Sequence, residues 1–135
     1  MRRSILGVVI LLAVASVSRA LAQEQSAPEA MAVIKDGEVG RLERDSLKAY
    51  GEIAHFDVSI VWDDAAGPRP AGHTGRRVRY VADCKAATLV VAAVSVFDAS
   101  GKLVKTLILP PGAVDPVQLQ KGSPEARWLR EVCRL

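Results

Sequence analysis

Tyr80-Val81-Ala82-Asp83-Cys84-Lys85 decides how this chain folds, because Cys84 and the distant Cys133 are its only cysteines. From residue 76 the sequence alternates. Val78, Tyr80, Ala82 and Cys84 fall on one side of a strand, and Arg77, Arg79, Val81 and Asp83 on the other. The sulfur therefore lies on the apolar side, where a covering element would sit. Cys133 closes the clearest amphipathic helix of the chain. Ser123 suits the N-cap, Pro124 the first helical position, and Glu125 the positive end of the dipole. Trp128, Leu129, Val132 and Cys133 make its apolar stripe, while Arg127, Arg130, Glu131 and Arg134 face outward. In an exported chain two cysteines read most simply as one disulfide, which would pin the helix to the sheet. Two buried thiols or a metal pair are the alternatives, and no CxxC or HxxxH spacing supports the metal.

Export is read from the first 22 residues. Arg2 and Arg3 precede an apolar run over residues 5–17, and Ser18-Arg19-Ala20-Leu21-Ala22 places small residues before a cut at Gln23. That is the order of a secretory signal, and the run is shorter than the roughly 20 apolar residues that span a bilayer. Removing 22 of the 135 residues leaves 113, a natural length for one domain. Arg2, Arg3 and Arg19 leave with the signal, so the 18 basic side chains fall to 15 against 15 acidic ones. With no positive field left, nucleic acid is excluded as a partner on charge grounds. No cysteine lies near the cut, so no lipid anchor is expected. The reading is a periplasmic or secreted protein, not inserted in the membrane once the signal is removed, and held at the cell surface only if a partner keeps it there.

The domain organisation expected is a signal peptide at 1–22, a flexible lead-in at 23–29 and a single domain at 30–135. Met31-Ala32-Val33-Ile34 reads as a short strand, Lys35-Asp36-Gly37 as a hairpin turn, and residues 38–43 as a returning strand. Asp45-Ser46-Leu47-Lys48 has the pattern of a capped single helical turn. The next strand is unambiguous, with Ala54, Phe56, Val58, Ile60 and Trp62 on one face and His55, Asp57 and Ser59 on the other. Residues 63–75, rich in glycine and proline, are expected to be a mobile loop. Residues 88–97 are apolar on both faces, which predicts a strand covered on both sides. Asp98-Ala99-Ser100-Gly101 turns the chain into a partner strand over residues 102–109, ended by Pro110-Pro111.

The chemistry-bearing residues are few. His55 and His73 have no ligand spacing and read as ordinary surface residues. Asp63-Asp64 reads as a strand-end turn, with no oxygen ligands following as calcium would need. No serine sits in a G-x-S-x-G context and no glycine loop cradles a phosphate. No catalytic residue, metal or cofactor is therefore assigned. The one local concentration of charge is Arg69, Arg76, Arg77, Arg79 and Lys85. It is either a solvated, edge-protecting face or a patch for an acidic polymer, anionic head groups or a protein.

Asp83-Cys84, the Phe97-Asp98-x-x-Gly101 turn, Gly122-Ser123 and the terminal cysteine, in this order of strands, resemble the surface-adhesin protein E-like domain of Gram-negative bacteria. The resemblance implies an α+β fold: an antiparallel sheet of about six strands, with a C-terminal helix packed on one face and tethered by a disulfide. It also implies a tendency to form homodimers and, from the family's named member, adhesin-like binding of host matrix proteins. The chain departs from that member in lacking a lipidation cysteine. The function expected is thus an exported, non-catalytic binding module for a host or envelope protein or an acidic polymer. The alternative is an envelope structural component that self-associates through the second face of residues 88–97.

Overall fold

A computed structural model describes residues 31–35 and 37–134. The signal peptide and lead-in expected at 1–22 and 23–29 lie outside the described residues. Six strands follow one another in space as in sequence: β1 (Met31–Lys35), β2 (Glu38–Tyr50), β3 (Ile53–Trp62), β4 (Gly75–Asp83), β5 (Thr88–Phe97) and β6 (Leu103–Ile108). All neighbouring pairs are antiparallel. Five of them, β2 to β6, are described with their side chains; β1 is described by its backbone. The helix α1 (Pro124–Val132) packs on one face of this meander.

The alternation in β3 and β4 places the core. Ala54, Phe56, Val58 and Ile60 meet Ala82, Tyr80, Val78 and Arg76 across the ladder, and all but the arginine are buried. Trp128, Leu129 and Val132 close over them from the helix. Phe56 stacks on Tyr80 at 5.5 Å between ring centroids, and Tyr80 meets Trp128 at 6.0 Å. Ser123 accepts a hydrogen bond from the Ala126 amide at 3.2 Å, the N-cap its sequence predicts. The Cys84–Cys133 disulfide ties the end of the helix to the turn after β4, with the Cα atoms 5.4 Å apart. The disulfide, the antiparallel sheet and the C-terminal helix are therefore as the sequence led us to expect.

Burial pushes the Tyr80 phenol up to about 12, and the Glu125 carboxylate adds to the effect. An unfolded tyrosine titrates near ~10. Across the window from there to about 12 the unfolded chain releases the proton first, so stability must fall as pH rises. A shift of that size corresponds to roughly 2–3 kcal/mol. Urea unfolding followed from neutral to alkaline pH should show the decline in the native protein and a flatter alkaline limb in Tyr80→Phe.

Three sequence expectations are corrected. The helical turn expected at residues 45–48 is part of β2, which runs unbroken from Glu38 to Tyr50 with a register shift between Glu43 and Lys48. Ser46 does cap a backbone amide, but in the bulge: its hydroxyl donates to the Glu43 carbonyl at 2.6 Å and accepts from the Asp57 amide at 2.7 Å. It replaces the ladder bond that the bulge breaks. Ser46→Ala would leave the Asp57 amide unmatched, and a loss of about 1–3 kcal/mol in urea unfolding is expected.

Second, the loop between β3 and β4 is anchored at several points. Asp63 caps a 3-10 turn at Asp64–Ala66, the Trp62 indole donates to the Gly67 carbonyl at 2.9 Å, and the Asp63 amide donates to Gly37 at 2.7 Å. Gly37 itself has φ +83° and packs so closely on the Trp62 ring that a Cβ there would overlap it.

Third, among the described residues no loop of this chain covers the second face of β5. Leu89 is buried, but the rest of the strand is half-buried. The helix and the residues around Val117 and Leu119 cover one face only, with the Val117 amide donating to the Leu89 carbonyl at 2.7 Å.

Candidate functional site

Because the covering layer lies on one side, the odd-numbered side chains of β3 and β4 form an open face with Ala93, Ser95 and Phe97 of β5, where a register shift between Arg79 and Tyr80 has switched the parity of that strand. At its centre Asp57 is nearly buried, although its type predicts exposure. Arg79, the residue opposite it in the ladder, holds its carboxylate with both ends of the guanidinium, Nε to Oδ1 at 2.8 Å and Nη2 to Oδ2 at 3.1 Å. The hydrogen bonds and charge of Asp57 raise the Arg79 pKa further above its usual value. Arg79 thus answers a buried charge, and removing it would strand a carboxylate.

Arg77 lies one step along the same face and is not tied in this way. Its guanidinium sits over the Phe97 ring, 5.6 Å from the centroid, and the residue is exposed. Beside it Ser95 and Thr106 share a hydrogen bond at 2.9 Å, and Ile108 completes a shallow groove of about 150 Å³. At one end of the sheet this face meets a cleft of about 230 Å³ lined by Trp62, Arg69, His73, Arg76, Phe97 and Asp98.

The walls of that cleft are held by Glu38, which is buried. Its Oε1 receives the Arg76 Nη1 at 3.1 Å and lies 3.0 Å from His73 Nε2, while its Oε2 receives the Arg76 Nη2 at 2.8 Å. His73 also packs edge-on against Trp62 at 5.5 Å. It is an anchor of the loop, not the surface residue its position among glycines and prolines predicts. Arg69 reaches across to the Ala99 carbonyl at 3.5 Å. On the far rim Asp98 accepts from the Ser100 hydroxyl and the Ser100 and Lys102 amides, which holds its carboxyl below the usual range.

The five basic residues grouped by the sequence are therefore divided by the structure. Arg77 and Arg79 share the open face, Arg76 turns to Glu38 beside the cleft, and Arg69 lines the same cleft. Lys85 lies in the turn beyond the other end of β4, about 30 Å away along the strand. Both cysteines are taken up by the disulfide, and His55 stands edge-on to Tyr50 at 5.9 Å. Among the described residues no three His, Cys, Asp or Glu side chains converge as metal ligands. The sequence hides Glu38 and Asp57 because their partners stand 38 and 22 residues away. The one available signal was Asp57 itself, a lone acid in a strand followed by a strand of arginines.

A disulfide is compatible with an exported protein, and among the described residues no helix is long and apolar enough to cross a membrane. Comparison of the chain with family models, with curated proteins and with solved structures gave no match.

Proposed function

We propose that this protein is an exported, non-catalytic binding module, working in the periplasm or outside the cell, whose open sheet face recognises a protein or an acidic polymer. The observation that carries this reading is Arg77, exposed and placed over the Phe97 ring on a face that the helix leaves uncovered. Arginine and aromatic side chains in a shallow, partly apolar setting are what recognition surfaces are enriched in. A guanidinium fork also suits carboxylate and sulfate groups. The side chains that might otherwise do chemistry are committed: the thiols to the disulfide, His73 to Glu38 and Arg79 to Asp57. The resemblance to protein E-like domains supports the same class of function.

Arg77→Glu tests the reading without touching the Arg79–Asp57 ion pair. Because Arg77 is exposed and stacked on Phe97 alone, the variant should melt close to the native protein. It should also elute from a heparin column at clearly lower salt. Equal retention would remove Arg77 from the binding surface. Reversing Arg79 is a poor test, since it would place two carboxylates together at Asp57 and disturb the sheet.

A further inference from the structure

We infer that the cleft between the β3–β4 loop and the Asp98–Gly101 turn is a site for one acidic sugar ring, a six-membered sugar carrying a carboxylate, either free or at the end of a glycan. The proposal rests on the binding-module reading and narrows it, naming the chemistry of the ligand and the place where one unit of it sits.

Three observations carry it. The first is Gly75, which lines the cleft at the start of β4. Glycine weakens a strand, and within one it marks a bulge, a bend or a place where backbone or ligand comes close. The ladder has no bulge here, since Gly75 pairs with Phe97 and Arg76 with Val96 in regular register. No conformation demands glycine either, because its φ lies outside the left-handed region. Nor does another segment crowd it: a Cβ would meet the Ile60 carbonyl at 3.7 Å, an ordinary contact, and nothing nearer. What the missing side chain keeps open is the cleft. At about 230 Å³ it is smaller than the roughly 300–1,000 Å³ of sites for drug-sized molecules, and it suits a single ring.

The second observation is how Arg69 is presented. It stands between Pro68, whose ring fixes its own φ, and Pro70, which disfavours helical backbone at Arg69. This arm is pinned on both sides. The Trp62 indole donates to the Gly67 carbonyl at 2.9 Å, and the His73 amide donates to the Pro70 carbonyl at 3.1 Å. The His73 ring in turn lies 3.0 Å from Glu38. The guanidinium itself makes one bond, a long one of 3.5 Å to the Ala99 carbonyl, so most of its five N–H donors remain for a ligand. A cation on an arm ordered in advance loses little freedom when an anion binds it.

The third is that the cleft sets this cation beside an acceptor and an apolar wall. The bonds that Asp98 takes from Ser100 and Lys102 all fall on Oδ1, which leaves Oδ2 to accept. Phe97, next to Gly75 in the ladder, supplies apolar surface together with Val61 and Trp62. A sugar ring has a C–H face that packs on aromatic surface and hydroxyls that donate. An acidic sugar adds a carboxylate that a guanidinium takes with two bonds. An acidic peptide side chain would meet repulsion at Asp98, and a neutral sugar would leave Arg69 without an anion. The acidic sugar answers all three walls. Phe97 also carries Arg77, so a glycan that ends in the cleft continues onto the open face.

The experiment is an NMR titration of the exported, disulfide-intact protein with galacturonate, galactose and N-acetylaspartate in turn, repeated on Gly75→Val and Arg69→Gln. Galacturonate should bind in the millimolar range and shift the amides of Arg69, Gly75 and Asp98. Galactose and N-acetylaspartate should each bind about tenfold more weakly or worse. Gly75→Val fills the cleft with a residue that strands favour, so it should melt no lower than the native protein and lose the binding. Arg69→Gln should weaken galacturonate by about tenfold. A galacturonate trisaccharide that binds more tightly than the single sugar assigns the site to a glycan end, and equal affinity assigns it to the free sugar. No galacturonate shifts in the cleft, N-acetylaspartate binding as well as galacturonate, or undiminished binding in Gly75→Val would overturn the inference. The binding-module reading stands or falls separately, on the heparin retention of Arg77→Glu, because Arg77 lines the neighbouring groove and not the cleft.

Discussion

Cys133→Ser is expected to lower stability by about 4 kcal/mol and the melting temperature by roughly 15 °C. The bond closes a loop of sequence separation 49, and the chain-entropy cost of leaving that loop open sets the size of the effect. A domain of this length has only about 5–15 kcal/mol in all. The helix should suffer first. Nine residues cannot hold a helix in water on their own, so α1 depends on its N-cap, its apolar face and this tether. Thermal unfolding with and without reductant makes the same comparison on the native chain. An unchanged melting temperature on reduction would show that the tether contributes nothing.

Trp128→Ala should cost a similar amount, about 3–5 kcal/mol. The indole is 1% exposed, the largest of the wholly buried side chains, and it lies on Tyr80 beneath the helix. The two effects are coupled because they hold the same nine residues. In a chain already lacking the disulfide the helix is partly detached, so the Trp128→Ala penalty there should be smaller than in the intact protein. Chemical denaturation of the two single variants and the double variant measures the difference. A penalty just as large without the disulfide would mean that the tether and the indole act independently.

How much of this was written in the sequence depends on how local each signal is. The strands β3 and β4 and the helix α1 were legible because their apolar residues repeat at 2 and 3.6 positions, and the Asp98–Gly101 turn because Asp98 serves amides only two and four residues ahead. The bulge in β2 was not. Ser46 caps an amide in either structure, and only the neighbouring strand, eleven residues on, decides which amide it is. The order of the loop at 63–74 was hidden for the same reason: its glycines and prolines forbid regular structure without saying that His73 will find Glu38 across the sheet.

The site was the least legible part. Counting arginines gives one basic patch, whereas pairing them leaves Arg77 as the guanidinium presented on the open face. Two of the five cations are spent on buried carboxylates, Arg76 on Glu38 and Arg79 on Asp57. Charge along a chain is a sum of side chains, but charge at a surface is what remains after the fold has matched them.

The division of labour proposed between the two faces, one sealed by the tethered helix and one left for recognition, can be tested directly by an NMR titration of the exported protein with a heparin-derived oligosaccharide. Backbone shifts should change at Arg77, Ser95 and Phe97 and not along Pro124–Val132, and the Arg77→Glu variant should abolish them. Shifts centred on the helix, or the same shifts in that variant, would contradict it.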